Sequence, residues 1–411
     1  MQLNPLFVFS SCLILIVAVS TVGLLPLPPL SYAQQNTDST HCVTYDPTDR
    51  LITITCGSAT LTDIDNQLKD ANILHKENNE NDDDTVWLLN AGIVVAENAT
   101  FYINSTDTKW LKIISNGNTE YAIEVHGSLK IDSVKITSWN PETNNYAITD
   151  DEEEKRQIPR PFIRIEEGAT GTADITNSEL AYLGYAAQIK EDNHHRRSGL
   201  VYYGGNGSII RGNHMHHNMF GFYSAGVGGL ILEDNNVYDN YVYGFDPHTG
   251  THDMIIRNNT VHDNGHIGII CSLDCYNIII ENNKVYNSSD ASIMFSRNMY
   301  NSVARNNYVH DETQCIFVSE SHNNEIYNNT VSDCKNGIYL QHNSSNNKIY
   351  DNTIINATSN GILVNTGASD NTFSSNTVIN ATEFGINARN SLSLGNTFES
   401  NKLINSKMRT K

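Results

Sequence analysis

An all-β chain wound as a right-handed parallel β-helix, a solenoid with a short N-terminal capping helix, is the fold that the sequence predicts. Three observations predict it. An Asn followed by a short apolar pair recurs at Asn213, Asn235, Asn259, Asn283, Asn307, Asn329, Asn352, Asn376 and Asn401, with steps of 22, 24, 24, 24, 22, 23, 24 and 25 residues. Self-similarity at a near-fixed period marks a solenoid. Within one period, runs such as Asn329-Thr330-Val331-Ser332-Asp333 and Gly337-Ile338-Tyr339-Leu340 alternate apolar and polar residues between Asn, Asp, Ser and Gly, which is a strand-and-turn pattern. No Leu-rich or 3.6-residue segment recurs, so leucine-rich and helical repeats are excluded. Parallel strands joined by crossovers take the right-handed sense.

The elements follow in order. Residues 1–33 are almost unbroken apolar sequence from Leu6 to Pro26 and then reach Ser31-Tyr32-Ala33 before Gln34, the pattern of an export signal. A secreted or cell-envelope location follows. The amino end carries no Lys or Arg, so the alternative is an uncleaved anchor, the one route by which the chain would touch a membrane. Residues 34–85 form an N-terminal capping segment, in which Leu61, Ile64, Leu68 and Ala71 fall on one helical face. Glu77 to Asp84 is an acidic link. The β-helix is expected over 86–405, starting near Val86 and interrupted by a solvated insertion from Pro141 to Arg156; 406–411 is a basic tail. The recurring Asn predicts a ladder of side-chain amides, with Asn also taking the left-handed backbone at the bend. Of seven Cys, six remain when Cys12 leaves with the signal, an even number that permits disulfides in an exported chain. Cys42 with Cys56 is the preferred pair, while Cys271, Cys275, Cys315 and Cys334 either pair or are buried. No CxxC spacing suggests zinc, and no metal site is expected.

Charge limits the partners. The chain carries 26 Lys and Arg against 46 Asp and Glu, a net −20, which disfavours nucleic acid by long-range repulsion. An anionic polysaccharide meets the same objection and requires a local basic groove. Nine of the fifteen histidines lie between His194 and His266, with Arg196, Arg197, Arg211 and Arg257 in the same stretch. Groups that titrate near neutrality suit proton transfer.

Counting thirteen residues from successive Asn anchors gives His248, Ser272, Ser296, Glu320, His342, Asn365 and Arg389. With coils stacked at roughly 4.8 Å, these would form a polar stripe along the axis. Tyr243 and Asp246 precede His248 on the same strand, Pro247 turns the chain there, and Arg297 lies one residue past the stripe. Such a stripe suits an extended chain of acidic sugars. Removing the proton at C5 of a uronate makes a carbanion that survives only if the adjacent carboxylate is neutralised by Arg or by a hydrogen-bonded acid. Return of a proton from the opposite face gives epimerisation; expulsion of the C4 group gives a lyase.

The strings Arg160-Pro161-Phe162, Ala181-Tyr182-Leu183-Gly184-Tyr185, Gly221-Phe222-Tyr223, Tyr243-Gly244-Phe245-Asp246-Pro247-His248 and Gly268-Ile269-Ile270-Cys271-Ser272 resemble the mannuronan C5-epimerases, which convert mannuronate to guluronate in alginate. The resemblance covers roughly residues 86 to 350. It implies a right-handed β-helix, His248 as catalytic base and catalytic roles for Asp246 and Tyr243; the Arg that the resemblance would assign to neutralising the carboxylate falls at Leu273 in this chain, and Arg297, which matches another Arg of the family, is taken for that role. Substrate contacts are expected at Arg211, Tyr223, His266, Ser272 and Glu320. The chain has Thr249 and Leu273 where periplasmic members carry Asp and Arg. It also lacks the calcium modules of secreted members, so no cofactor is required and calcium is not indicated. The expected function is C5-epimerisation of a polyuronate, against two rivals: a polysaccharide lyase on the same scaffold and a non-catalytic envelope β-helix protein. The sequence does not fix an oligomeric state.

Overall fold

The computed structural model describes residues 41–77, 85–117, 119–151, 154–186, 196–365, 367–388 and 394–410. The segment read as an export signal, Cys12, most of the acidic link, His194 and Arg389 lie outside the described residues. The chain winds through three sheets of 15, 12 and 14 strands. The first runs from Val43–Asp46 and Leu51–Ile54 to Met408–Arg409, the second from Thr100–Asn104 to Thr397–Glu399, and the third from Leu74–Glu77 to Lys402–Ile404. Every pairing along the coil is parallel except two amino-terminal pairs, Val43–Asp46 with Leu51–Ile54 and Leu74–Glu77 with Val86–Leu89. Among the described residues no helix is long and apolar enough to cross a membrane.

Inward residues stack as rows. Phe222, Phe245, Ile269, Ile293, Ile316 and Ile338 sit in register on consecutive coils, all with no solvent exposure. A row of this kind places one large apolar side chain per coil in the core, which is why the strand segments read Gly-Ile-x-x or Gly-Phe-x-x.

The predicted ladder forms at the turn from the second sheet to the third. Each amide from Asn213 to Asn376 donates Nδ2 to the Oδ1 of the next Asn at 2.9 to 3.0 Å. The left-handed backbone, however, belongs to the preceding residues, such as Asp234 (φ 57°), Asn258 (57°) and Asn282 (56°). The laddered side chain must point into the corner, so the strained bend passes to a solvent-facing neighbour. Replacing a middle rung removes partners from buried groups on two coils: Asn307 Nδ2 serves both the Ile280 carbonyl and Asn329 Oδ1 at 2.9 Å. Asn307→Ala is expected to cost about 3–5 kcal/mol in chemical denaturation, and Asn401→Ala at the part-buried last rung markedly less.

The capping helix is Leu61–Leu68, with Thr60 and Asp63 forming a reciprocal capping box and Lys69 in left-handed geometry at its end. Leu61 and Ile64 are fully buried, whereas Ala71 falls beyond the helix and is exposed. Parallel stacking begins before Val86, since Leu51–Ile54 already pairs with Gly92–Val95. At the other end Met408–Arg409, within the segment read as a tail, pairs with the strand Phe384–Asn387. Cys42–Cys56 and Cys315–Cys334 are disulfide-bonded, while Cys271 and Cys275 are free and buried.

A second ladder, Asn218–Asn240–Asn264, lines the turn from the third sheet to the first. Two coils on, Glu312 takes the corresponding role and receives the Ser288 amide, but its Oε2 has no partner. Burial pushes this carboxyl up to about 8. The folded chain therefore keeps a proton that the unfolded chain releases above the ordinary 4.5, and the stability associated with Glu312 falls as pH rises from 4.5 toward 8. Glu312→Gln is expected to stabilise by roughly 1–3 kcal/mol at pH 8 relative to its effect at pH 4, read as a melting-temperature difference that grows with pH.

Candidate active site

The site forms on the outer face of the first sheet, on the strand Tyr243–His248. Phe245 enters the core, while Asp246 stands in register with Tyr223 and His248 with Ala225 and Ser272. The row beside His248 continues through Ser272, Ser296, Ser319 and Gln341. The next residues, Thr249, Leu273, Arg297, Glu320 and His342, all have positive φ and form the turn that leaves the sheet. From that turn Arg297 reaches back two coils. Its Nε donates to Ser272 Oγ at 2.8 Å, and its Nη2 lies 2.9 Å from His248 Nε2.

This contact fixes the imidazole. A guanidinium has donors only, so His248 Nε2 accepts, the proton sits on Nδ1, and Nδ1 donates to Thr249 Oγ1 at 2.5 Å. His248 is 9% exposed, and its Nε2 points at the Arg297 guanidinium. Thr249 holds the tautomer, a role that sequence reading missed.

Asp246 is 1% exposed and its Oδ1 has no hydrogen-bond partner. Burial pushes its carboxyl well above the ordinary carboxylate range, and Arg297 offsets only part of this. Tyr243 packs against Phe220 at 5.0 Å and His266 at 5.6 Å between ring centroids. Burial raises its phenol, with Asp246 adding and Arg297 opposing. Tyr223, 1% exposed, lies 5.7 Å from the His248 ring and is likewise held neutral, chiefly by burial. Tyr203 and Phe220 complete an aromatic wall on that side. His266 stands at its rim, 3.9 Å from Asp290 and half exposed.

Two expected contacts are corrected. Arg211 belongs to the second sheet, in register with Glu233 and Arg257, where Glu233 binds both arginines; it faces away from the His248 row. Glu320 is not in the polar row, because Ser319 occupies that register and Glu320 lies in the following turn. The histidine cluster also disperses. His214 and His216 lie in the third sheet, as does His262, while His252 marks a turn stack with Tyr276. A sequence window of three coils wraps fully round the solenoid, so proximity in sequence places these rings on different faces. Among the described residues the nearby arginines are paired with carboxylates: Arg164 and Arg196 are both bound by Glu166, and Arg197 by Glu120. Among the described residues no group of three or more His, Cys, Asp or Glu side chains is placed to hold a metal ion.

Comparisons with known proteins fit this geometry. The profile of the family described as "Right handed beta helix region" matches residues 162–273 and 270–403. A mannuronan C5-epimerase of Pseudomonas fluorescens is 31% identical over 134 residues, 31% of this chain and 24% of that protein. The chain thus spans about a quarter of the length of that relative. The crystal structure of the periplasmic alginate epimerase AlgG superposes with a TM-score of 0.72 at 21% identity, covering 86% of this chain and 85% of that one. The A-module of an Azotobacter vinelandii mannuronan C-5 epimerase superposes at 0.59 with 16% identity, covering 78% and 89%. At these identities the two structures speak for the fold alone.

Proposed function

We propose, for a chain that belongs to the right-handed β-helix family, that it catalyses C5-epimerisation of uronate residues in an anionic polysaccharide by abstracting and returning the C5 proton. The observation that carries this reading is the 2.9 Å contact between His248 Nε2 and Arg297 Nη2. In a uronate the acidic proton and the carboxylate group are both borne by C5. A base and a guanidinium in contact therefore reach both groups of one sugar. The His248 lone pair takes the proton while Arg297 neutralises the carboxylate as charge moves onto it. The Asp246 carboxyl, raised by burial, supplies a further hydrogen bond to that developing charge when it carries a proton. A proton returned to the opposite face, by the neutral Tyr243 phenol or by water, completes the inversion.

The similarity to a mannuronan C5-epimerase over 134 residues supports the same chemistry. An exported location fits the apolar amino-terminal segment and the periplasmic location named for AlgG. The proposed reaction needs no metal or organic cofactor.

Incubation with a panel of uronate polysaccharides, followed by NMR of the sugars, tests this reading. Inverted uronate without unsaturated chain ends is the expected product. Unsaturated ends would make the protein a lyase, and unchanged sugars throughout the panel would favour a structural role.

A further inference from the structure

The surface beside the reacting pair bears on which sugars flank the reacting one. Toward the carboxyl end, the first sheet continues through the strands Ile267–Ser272, Ala291–Ser296, Gln314–Ser319, Asn336–Gln341 and Asn360–Val364. None of these strands contains a Lys or Arg. Next to His248 the outward row is Ser296, Ser319 and Gln341. Beside it runs an apolar row of Met294, Phe317 and Tyr339, the two rings stacked at 5.0 Å. The edges add negative charge: Asp290 on the side where the chain enters the sheet, Asp274 and Glu320 on the side where it leaves. Among the described residues the Lys and Arg at these edges are Arg297, already committed to Ser272 and His248, and Lys335, which lines one hollow with Asp311 and Asp333; His266 and His342 also lie at the edges.

A sugar in an extended chain spans roughly the 4.8 Å that separates coils, so a polymer lying along the axis places about one residue on each strand. In a homopolyuronate every such residue brings a carboxylate. Over the strands beyond Arg297, each would lie on neutral and apolar surface between like charges, losing hydration without gaining a cation. An uncharged sugar fits the same surface: its hydroxyl or acetamido groups meet Ser319, Gln341 and the Tyr339 hydroxyl, and its ring lies against Phe317 and Tyr339.

We infer that the substrate is a heteropolysaccharide in which the reacting uronate is followed, over the strands Ala291–Ser296 to Asn336–Gln341, by uncharged sugars. This rests on the epimerase reading above and specifies its substrate class.

Two polymers that share a uronate and differ only in its neighbours provide the test: polyglucuronate, and an alternating polymer of glucuronate and N-acetylglucosamine. Both are incubated with the full chain in deuterated water, then depolymerised, and deuterium at C5 is measured by mass spectrometry. The alternating polymer is expected to exchange at least about tenfold faster, a ratio that corresponds to about 1.4 kcal/mol. The variants Ser319→Lys and Glu320→Lys, which supply the missing cation, should narrow that ratio by raising the rate on polyglucuronate. Equal or faster exchange on polyglucuronate overturns the inference and leaves the epimerase reading intact. Absence of deuterium in both polymers and in the wider uronate panel overturns that reading and the inference with it.

Discussion

His248→Ala is expected to lower C5 proton exchange by about 100- to 10,000-fold, the range for loss of a positioned general base, while leaving the fold in place. The side chain sits on the outer face and contributes no core volume. It contacts Thr249 and Arg297 on the outer face, so the strands on either side keep their backbone pairing and their buried Phe and Ile rows. Circular dichroism and the melting temperature should therefore move little. His248→Gln separates positioning from basicity: it can keep a polar contact to Arg297, yet it supplies no basic nitrogen and should be nearly as inactive. A structural or sugar-binding histidine would behave differently, with Gln retaining most of the function and Ala losing binding rather than turnover.

The second large effect is expected at Arg297. Arg297→Met removes the cation that meets the carboxylate as negative charge develops, and a fall of about 100- to 1,000-fold in turnover is expected, with a smaller change in KM, because the interaction strengthens in the transition state. Arg297→Lys should recover only part of this. The wild-type guanidinium uses two nitrogens at once, Nε on Ser272 and Nη2 on His248, and a single ammonium cannot hold both contacts across two coils. If Arg297 served only as a turn residue with a surface polar contact, Lys would be equivalent and the loss would stay within a few-fold.

The fold was legible because its determinants are local and periodic. Each coil repeats an Asn for the ladder and an aliphatic residue for the core, so spacing alone carries the topology. The bend geometry was not legible in the same way, since a single Asn cannot both ladder inward and take the left-handed backbone; Asp234 and Asn258 do the latter. Within the site, the string from Tyr243 to His248 placed His248 on the outer face of the first sheet. The thirteen-residue count failed at Glu320 because the coil that starts at Asn307 reaches its first-sheet strand one residue sooner, at Gln314, than the coil before it. Arg211 misled for a related reason: its position within the coil puts it on the second sheet, where Glu233 already neutralises it. The reach of Arg297 back to His248 depends on the rotamers of a long side chain in a left-handed turn, information that neither period nor motif contains. Thr249 could have been read as a partner of His248 only by knowing that the adjacent turn folds its hydroxyl toward Nδ1.

The most direct measurement is solvent isotope incorporation at C5 by wild type and His248→Ala, on whichever uronate polysaccharide of the panel the wild type turns over. The proposed mechanism predicts deuterium at C5 in both epimers with the wild-type protein, and almost none with the variant at equal folded concentration. Inversion without solvent deuterium, or undiminished exchange in the variant, would contradict proton abstraction by His248.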